Sequence, residues 1–247
     1  MINRKRLLSL GTLSMILFWP SSAWAINFSL NPVVLEINPQ KQLNTQTKLV
    51  NLEGVPVAFT VEVFKWTQQN GQDVYSPTRD VLVNPVQFTL APRGSQVIRV
   101  GLRKKPDQPE LTYRIFIKEV PATLPKASAA AQGAATATSA SITTVLNIGV
   151  PFYVTDASSR ADLKTSALLR DGVVVLQATN QGSRREVMRN PLLQAAGKEL
   201  RLDSRAVLGQ SFITYVLKDL PANTRSVTLT YTDNQGKEHS ETLDVQQ

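Results

Sequence analysis

The 247-residue chain contains no cysteine. Without thiols there is no disulfide framework, no thiolate metal site and no cysteine nucleophile. A cysteine-free chain must hold itself together by burial, which calls for domains of respectable size. Histidine is almost as scarce: His239 stands alone in the stretch Asn234–Glu241. A Ser-His-Asp triad would have to use it, and no GxSxG turn accompanies it. Carboxylates are few and dispersed, with no paired-acid or metal-ligand spacing, so no catalytic residue, metal or cofactor is expected. No stretch of ten residues carries a helical apolar face, and no apolar run is long enough to cross a bilayer comfortably. Membrane insertion is therefore not expected.

What is present begins with a leader. Arg4, Lys5 and Arg6 precede an apolar stretch from Leu7 to Trp19, and Ala23-Trp24-Ala25 fits a small-x-small cleavage site. Residues 1–25 read as a signal peptide, and the mature chain should begin at Ile26. N-terminal sequencing of the exported protein is expected to start there; material starting at Met1 would instead mean an uncleaved anchor. Losing the three leader cations takes the formal charge from +8 to +5. The remaining basic residues are scattered, without the clusters or aromatic interleaving of a nucleic-acid module, so no nucleic-acid partner is expected.

Past the leader the apolar residues alternate in short sets. Phe28, Leu30 and Val34–Ile37 predict a first strand, with Pro32 marking an edge or bulge. Thr47–Leu52, Val57–Trp66, Val81–Asn84, Gln87–Leu90, 96–103 and Tyr113–Val120 follow. Gln69–Gln72 carries an Asn-Gly pair suited to a hairpin turn, and Ala91–Gly94 supplies another. The polar stretch 155–160 reads as a linker. Beyond it come Leu163–Leu169, Val173–Thr179, Val187–Gln194, Glu199–Leu202, Ser211–Val216, Val227–Thr232 and Glu241–Val245, with Asp171-Gly172, Gln181-Gly182, Ala196-Gly197 and Asn234–Gly236 as turns. The expectation is an all-β chain of two immunoglobulin-like β-sandwich domains, 26–154 and 155–247.

One stretch stands apart. Between the strand runs Tyr113–Val120 and Ser141–Val154 lie some twenty residues of Ala, Ser, Thr, Gly and Gln with no core-forming pattern. In the second run Ile142, Thr144, Leu146, Ile148 and Val150 alternate to one face. A strand edge needs a partner or a cover for its main-chain groups. A long apolar strand introduced in this way reads as an edge offered to another chain. Val145 and Asn147 fall on the opposite face, which is expected to meet the protein's own fold.

The order of these pieces resembles a known family. Leu90-Ala91-Pro92-Arg93-Gly94 before a strand, then Tyr113-Arg114-Ile115-Phe116-Ile117-Lys118-Glu119-Val120-Pro121, a variable loop and a strand ending Pro151-Phe152-Tyr153-Val154 look like a periplasmic pilus-assembly chaperone of the chaperone–usher pathway. The likeness runs over essentially the whole mature chain. It implies two immunoglobulin-like domains set at an angle, a periplasmic location, pilin subunits and an outer-membrane usher as partners, and no cofactor. It also implies that the row Ile142, Thr144, Leu146, Ile148 and Val150 is donated to a pilin whose own sandwich lacks a strand. Self-association of the free protein would be another way to cover that edge.

The chain departs from the pattern at one point. Well-studied members anchor the pilin's terminal carboxylate with an arginine on the first strand and a lysine late in the donor strand. The corresponding places here look like Val34, or a near neighbour, and Val150. Arg114 and Lys118, on one face of the strand before the loop, are the candidate replacement, with Arg99 and Arg103 in reserve. This departure and the Ala-rich loop resemble the archaic, spore-coat-protein-U type. The alternative reading is an exported structural subunit or adhesin of a pilus, but two apparently complete domains with an internal donor argue for the chaperone.

Overall fold

The computed structural model describes residues 28–121 and 145–247. The leader, the Ala-rich segment, Ile142 and Thr144 lie outside the described residues. Those described form strands, turns and loops and contain no helix.

The first ten strands are β1 (Phe28–Asn31), β2 (Leu35–Ile37), β3 (Asn44–Asn51), β4 (Val57–Gln69), β5 (Gln72–Pro77), β6 (Val81–Asn84), β7 (Gln87–Leu90), β8 (Ser95–Leu102), β9 (Glu110–Glu119) and β10 (Asn147–Thr155). They make two sheets, β1-β3-β8-β6 and β2-β10-β9-β4-β5, the latter with β7 also paired to β4. Alternation decides which side chains meet between them. Ile98, Val100 and Leu102 of β8 face Phe59 and Val61 of β4, Tyr113, Ile115 and Ile117 of β9, and Val150, Phe152 and Val154 of β10 in one core.

The remaining strands are β11 (Leu163–Arg170), β12 (Val173–Asn180), β13 (Glu186–Ala195), β14 (Lys198–Arg201), β15 (Arg205–Val207), β16 (Ser211–Leu217), β17 (Ser226–Thr232) and β18 (Glu238–Gln246). They join in a single sheet, β14-β13-β17-β18-β11-β12-β16, with β15 on β13. One face of it encloses Ala167, Leu176, Met188, Leu193, Ile213 and Leu229, all fully buried. Only Ala167 and Leu168 of β11 pair with the end of β18, so β11-β12-β16 and β14-β13-β17-β18 form two layers around one core, as a sandwich does.

The turns follow their residues. Asn70 and Gly71 have φ of 51° and 76°, as a two-residue hairpin between Gln69 and Gln72 requires. Asp171-Gly172 and Ala196-Gly197 repeat that geometry. Gly182 serves another purpose: a Cβ there would lie 2.3 Å from the Arg160 carbonyl oxygen, so only glycine lets these two chain segments touch. The sequence reading omitted β5 and β15. The first is a largely exposed edge strand and the second has three residues, so neither shows an alternating apolar signal.

His239 lies on β18, where its Nε2 is 2.8 Å from Asp233 Oδ2 and its ring stacks on Tyr231 at 4.9 Å. Asp233 Oδ1 also accepts the main-chain N–H groups of Gln235 and Lys237. The hydrogen bond from His239 is the main reason the Asp233 carboxyl sits below its ordinary value. The lone histidine closes a turn.

Candidate functional site

The outer face of the β2-β10-β9-β4-β5 sheet is where the two halves of the chain meet. At the end of β10 and β4, Tyr153 and Trp66 are covered by Leu208 from the second domain, and all three are buried. Polar clasps flank this apolar wedge. On one side the Gln68 amide donates to the Ala206 carbonyl at 2.8 Å and accepts from the Leu208 N–H at 2.9 Å. Its second amide hydrogen goes to Asp73, so the group is well satisfied. On the other side lies Arg185, 5% exposed, donating to Glu36 at 2.6 Å and to Glu110 at 2.7 Å. Its guanidinium also covers the Tyr153 ring at 3.5 Å.

This clasp sets its own protonation. Burial pushes the Glu36 carboxyl up, but the hydrogen bond and charge of Arg185, with Arg184 beyond, outweigh burial and hold it below its ordinary 4.5. Burial likewise works against the charge on Arg185, and the bond from Glu36 and the charge of Glu110 raise its pKa in spite of it. Tyr153, pushed up to about 12 chiefly by burial, stays neutral beside them.

From the wedge the outer face opens into a cleft of about 320 Å³. Arg114, Arg185, Arg189 and Arg205 line it, against a single acid, Asp73. Arg189 donates to the Asp233 carbonyl and the Asn234 side chain, and Arg205 to the carbonyls of Thr214 and Gly71. Arg114 stands over the Trp66 ring at 4.9 Å, and its buried Nε has no hydrogen-bond partner. Another hollow, past Gln68, is lined by Lys65, Gln108, Pro109 and Gln210 and carries no arginine.

Beside the cleft runs β10. It pairs with β9 from Asn147 to Thr155, but β2 covers only Phe152–Val154 on its other edge. Among the described residues, 147–151 therefore have an open edge. The Glu119 N–H donates to the Leu146 carbonyl, which fixes the alternation. Main-chain groups of Leu146, Ile148 and Val150 point to β9, and those of Asn147, Gly149 and Pro151 point outward. Pro151, with no N–H to give, sits where the ladder does not need one.

The structure distributes the sequence candidates unevenly. Leu146 and Ile148 are half-buried at the margin of the first-domain core, and Val150 is 1% exposed within it. The face expectation for their neighbours is corrected: Val145 is 44% exposed and Asn147 is exposed, so it is the 146/148/150 row that meets the protein's own core. Arg114 lines the cleft. Lys118 does not: two positions further along the same face, it pairs with Glu62 at 2.5 Å. Arg99 and Arg103 are exposed on or just beyond β8, in the other sheet. Val34 lines the cleft as an apolar residue. Arg185, Glu36, Glu110 and Gln68 carried no signal in the sequence, because a buried charge is written with the same letter as a solvated one.

Residues 27–145 match the family model described as pili and flagellar-assembly chaperone, PapD N-terminal domain. A chain of the CsuC–CsuE chaperone–tip adhesion subunit pre-assembly complex, from archaic Csu pili of Acinetobacter baumannii, matches at 16% identity and TM-score 0.64, over 90% of this chain and all of that one. The YadV chaperone matches at 12% identity and TM-score 0.60, over 88% and 98%. A chain of the Salmonella enterica SafA pilin–SafB chaperone complex gives 13% and 0.59, over 90% and 98%. At these identities the likeness is one of fold. No curated protein matches significantly in sequence. The family likeness thus rests on the first domain, and the likeness over the whole chain is to the fold of pilus chaperones.

Proposed function

We propose that this chain, whose first domain matches the pilus-chaperone family model and whose whole fold is like theirs, is a PapD-like pilus-assembly chaperone that works in the periplasm by donor-strand complementation. In this reading it binds a pilin subunit, completes the subunit's open sandwich with β10, and delivers it to an outer-membrane usher. The observation that carries the reading is the open edge at 147–151 beside a cationic cleft. Outward N–H and C=O groups of Asn147 and Gly149 supply main-chain pairing, while Leu146 and Ile148, preceded by Ile142 and Thr144, supply apolar knobs. Because Leu146 and Ile148 sit at the margin of the core, a strand added at this edge extends that core outward.

The pilin's terminal carboxylate is assigned to Arg114, with Lys118, outside the cleft on the same strand face, as the second group. Arg114 has no carboxylate within ion-pair distance among the described residues, so its charge is available. The Lys118–Glu62 pair is 39% and 48% exposed, worth little in water, and Lys118 can exchange partners. A charge-assisted hydrogen bond contributes about 1.5–3 kcal/mol. Arg114→Ala is expected to abolish co-purification of the pilin while the free protein melts as before; Lys118→Ala should weaken it less. Recovery of pilin at wild-type levels by both variants would move the anchor elsewhere in the cleft, to Arg189 or Arg205.

A further inference from the structure

Gly149 has no backbone reason to be glycine. It is absent from the positive-φ residues, and it interrupts a strand, where glycine is unfavourable. It is exposed on the outer face of β10, directly opposite Phe116 of β9. A Cβ built on it would lie 3.3 Å from Arg114 Nε and 3.4 Å from the Phe116 ring. The missing side chain thus lets Arg114 and the edge of Phe116 lean in against the β10 main chain, and leaves a shallow, exposed notch above the glycine beside the open edge.

The wall of that notch is aromatic. Phe116 meets Phe64 edge-on at 5.7 Å and Tyr75 at 5.4 Å, and Tyr75 is 37% exposed. Cations flank it: Lys118 Nζ is 5.9 Å from the Phe116 centroid, and Arg114 stands on the other side. On β10 the same face carries only Asn147, Gly149 and Pro151 before the buried Tyr153, so no long side chain of this strand covers Phe116.

We propose that Gly149 is a specificity-determining notch that admits a large aromatic side chain from the strand added at the open edge of β10. The proposal rests on the donor-strand reading above. A residue opposite Gly149 on an added strand stands about 9–10 Å from Phe116 across the glycine, two strand spacings. With no Cβ between them, two aromatic side chains meet over the glycine, as flanking aromatics do over strand glycines elsewhere. The two cations favour a ring over an aliphatic chain of equal size.

The test uses full-length mature chaperone and a pilin that the wild type co-purifies. Gly149→Val suits a strand and fills the notch, with Arg114 and Phe116 shifting by a few tenths of an ångström to admit its Cβ, so the free protein should still fold and melt cooperatively while pilin recovery falls at least tenfold. Gly149→Ala should lose less. Because the chain has no cysteine, Gly149→Cys introduces a unique thiol. Disulfide trapping against a cysteine scan of the pilin then identifies the residue opposite, expected to be Phe, Tyr or Trp in the native pilin. Wild-type recovery with Gly149→Val, or a small or charged residue at the trapped position, overturns the notch. Leu146→Asp with Ile148→Asp, run in parallel, separates the two claims: if that variant also retains pilin, the donor-strand reading itself fails.

Discussion

Replacing Leu146 and Ile148 together by aspartate should eliminate the proposed complex with a pilin. Each is a half-buried side chain, and its remaining apolar surface is what the proposed partner strand would cover. Burying a side chain of this size stabilises by about 1.5–3 kcal/mol, so losing both costs roughly 3–6 kcal/mol, or two to four orders of magnitude in affinity. Aspartate adds the penalty of an unpaired carboxylate in an apolar groove. Since both residues also touch the first-domain core, the melting temperature of the free protein should fall somewhat. Val150→Asp should lower it far more, because Val150 is fully inside that core. Val145 and Asn147 point to solvent, and their replacement by serine should leave melting unchanged. The measurement is pilin recovery beside thermal melting for each variant. Undiminished recovery with the double aspartate would sink donation through this row, and undiminished melting with Val150→Asp would sink the placement of the row on the core side.

The second large effect is expected from Arg185→Ala. Glu110, whose side chain is 3% exposed, would keep a buried carboxylate with its cation removed, and Glu36 would lose its shorter ion pair. Breaking a buried pair from one side costs about 3–5 kcal/mol. For a protein of this size that is a fall in melting temperature on the order of 10 °C. The clasp joins the two domains, so calorimetry should show the single transition splitting into two. Acid should act along the same line. The folded pKa of Glu36 lies below its ordinary 4.5, so its contribution is full above that pH and is lost as pH falls through the lower folded value. Wild type should therefore lose interdomain coupling on acidification below about pH 4.5, and Arg185→Ala should show little of that acid dependence. A variant that melts in one transition near the wild-type temperature would show that Gln68 and the Trp66–Tyr153–Leu208 wedge hold the domains unaided.

Much of the fold was legible in the sequence because period-two alternation is a local property. Val57–Val63, Ile98–Leu102 and Tyr113–Ile117 announce both their strand and its buried face, and Asn70-Gly71 or Asp171-Gly172 announce the turn. The motifs around Arg93 and Tyr113 carried a resemblance to pilus chaperones that the match of residues 27–145 shares. The strand run through Leu146, Ile148 and Val150 was visible too, but its facing was not. Alternation gives two sets of residues, and only the pairing with β9 decides which set meets the core. The same limit separated Arg114 from Lys118. Both share one strand face, yet the docking of Leu208 and Arg185 at one end makes a cleft around Arg114 and leaves Lys118 to Glu62. Glu36, Glu110 and Arg185 are 74 or more residues apart along the chain, and no local pattern marks charges that become partners only when two domains close on each other. Sequence determined the strands, because side-chain alternation acts between neighbours. Tertiary structure alone decided the open edge, the notch and the clasp, because each depends on which distant segment comes, or fails to come, alongside.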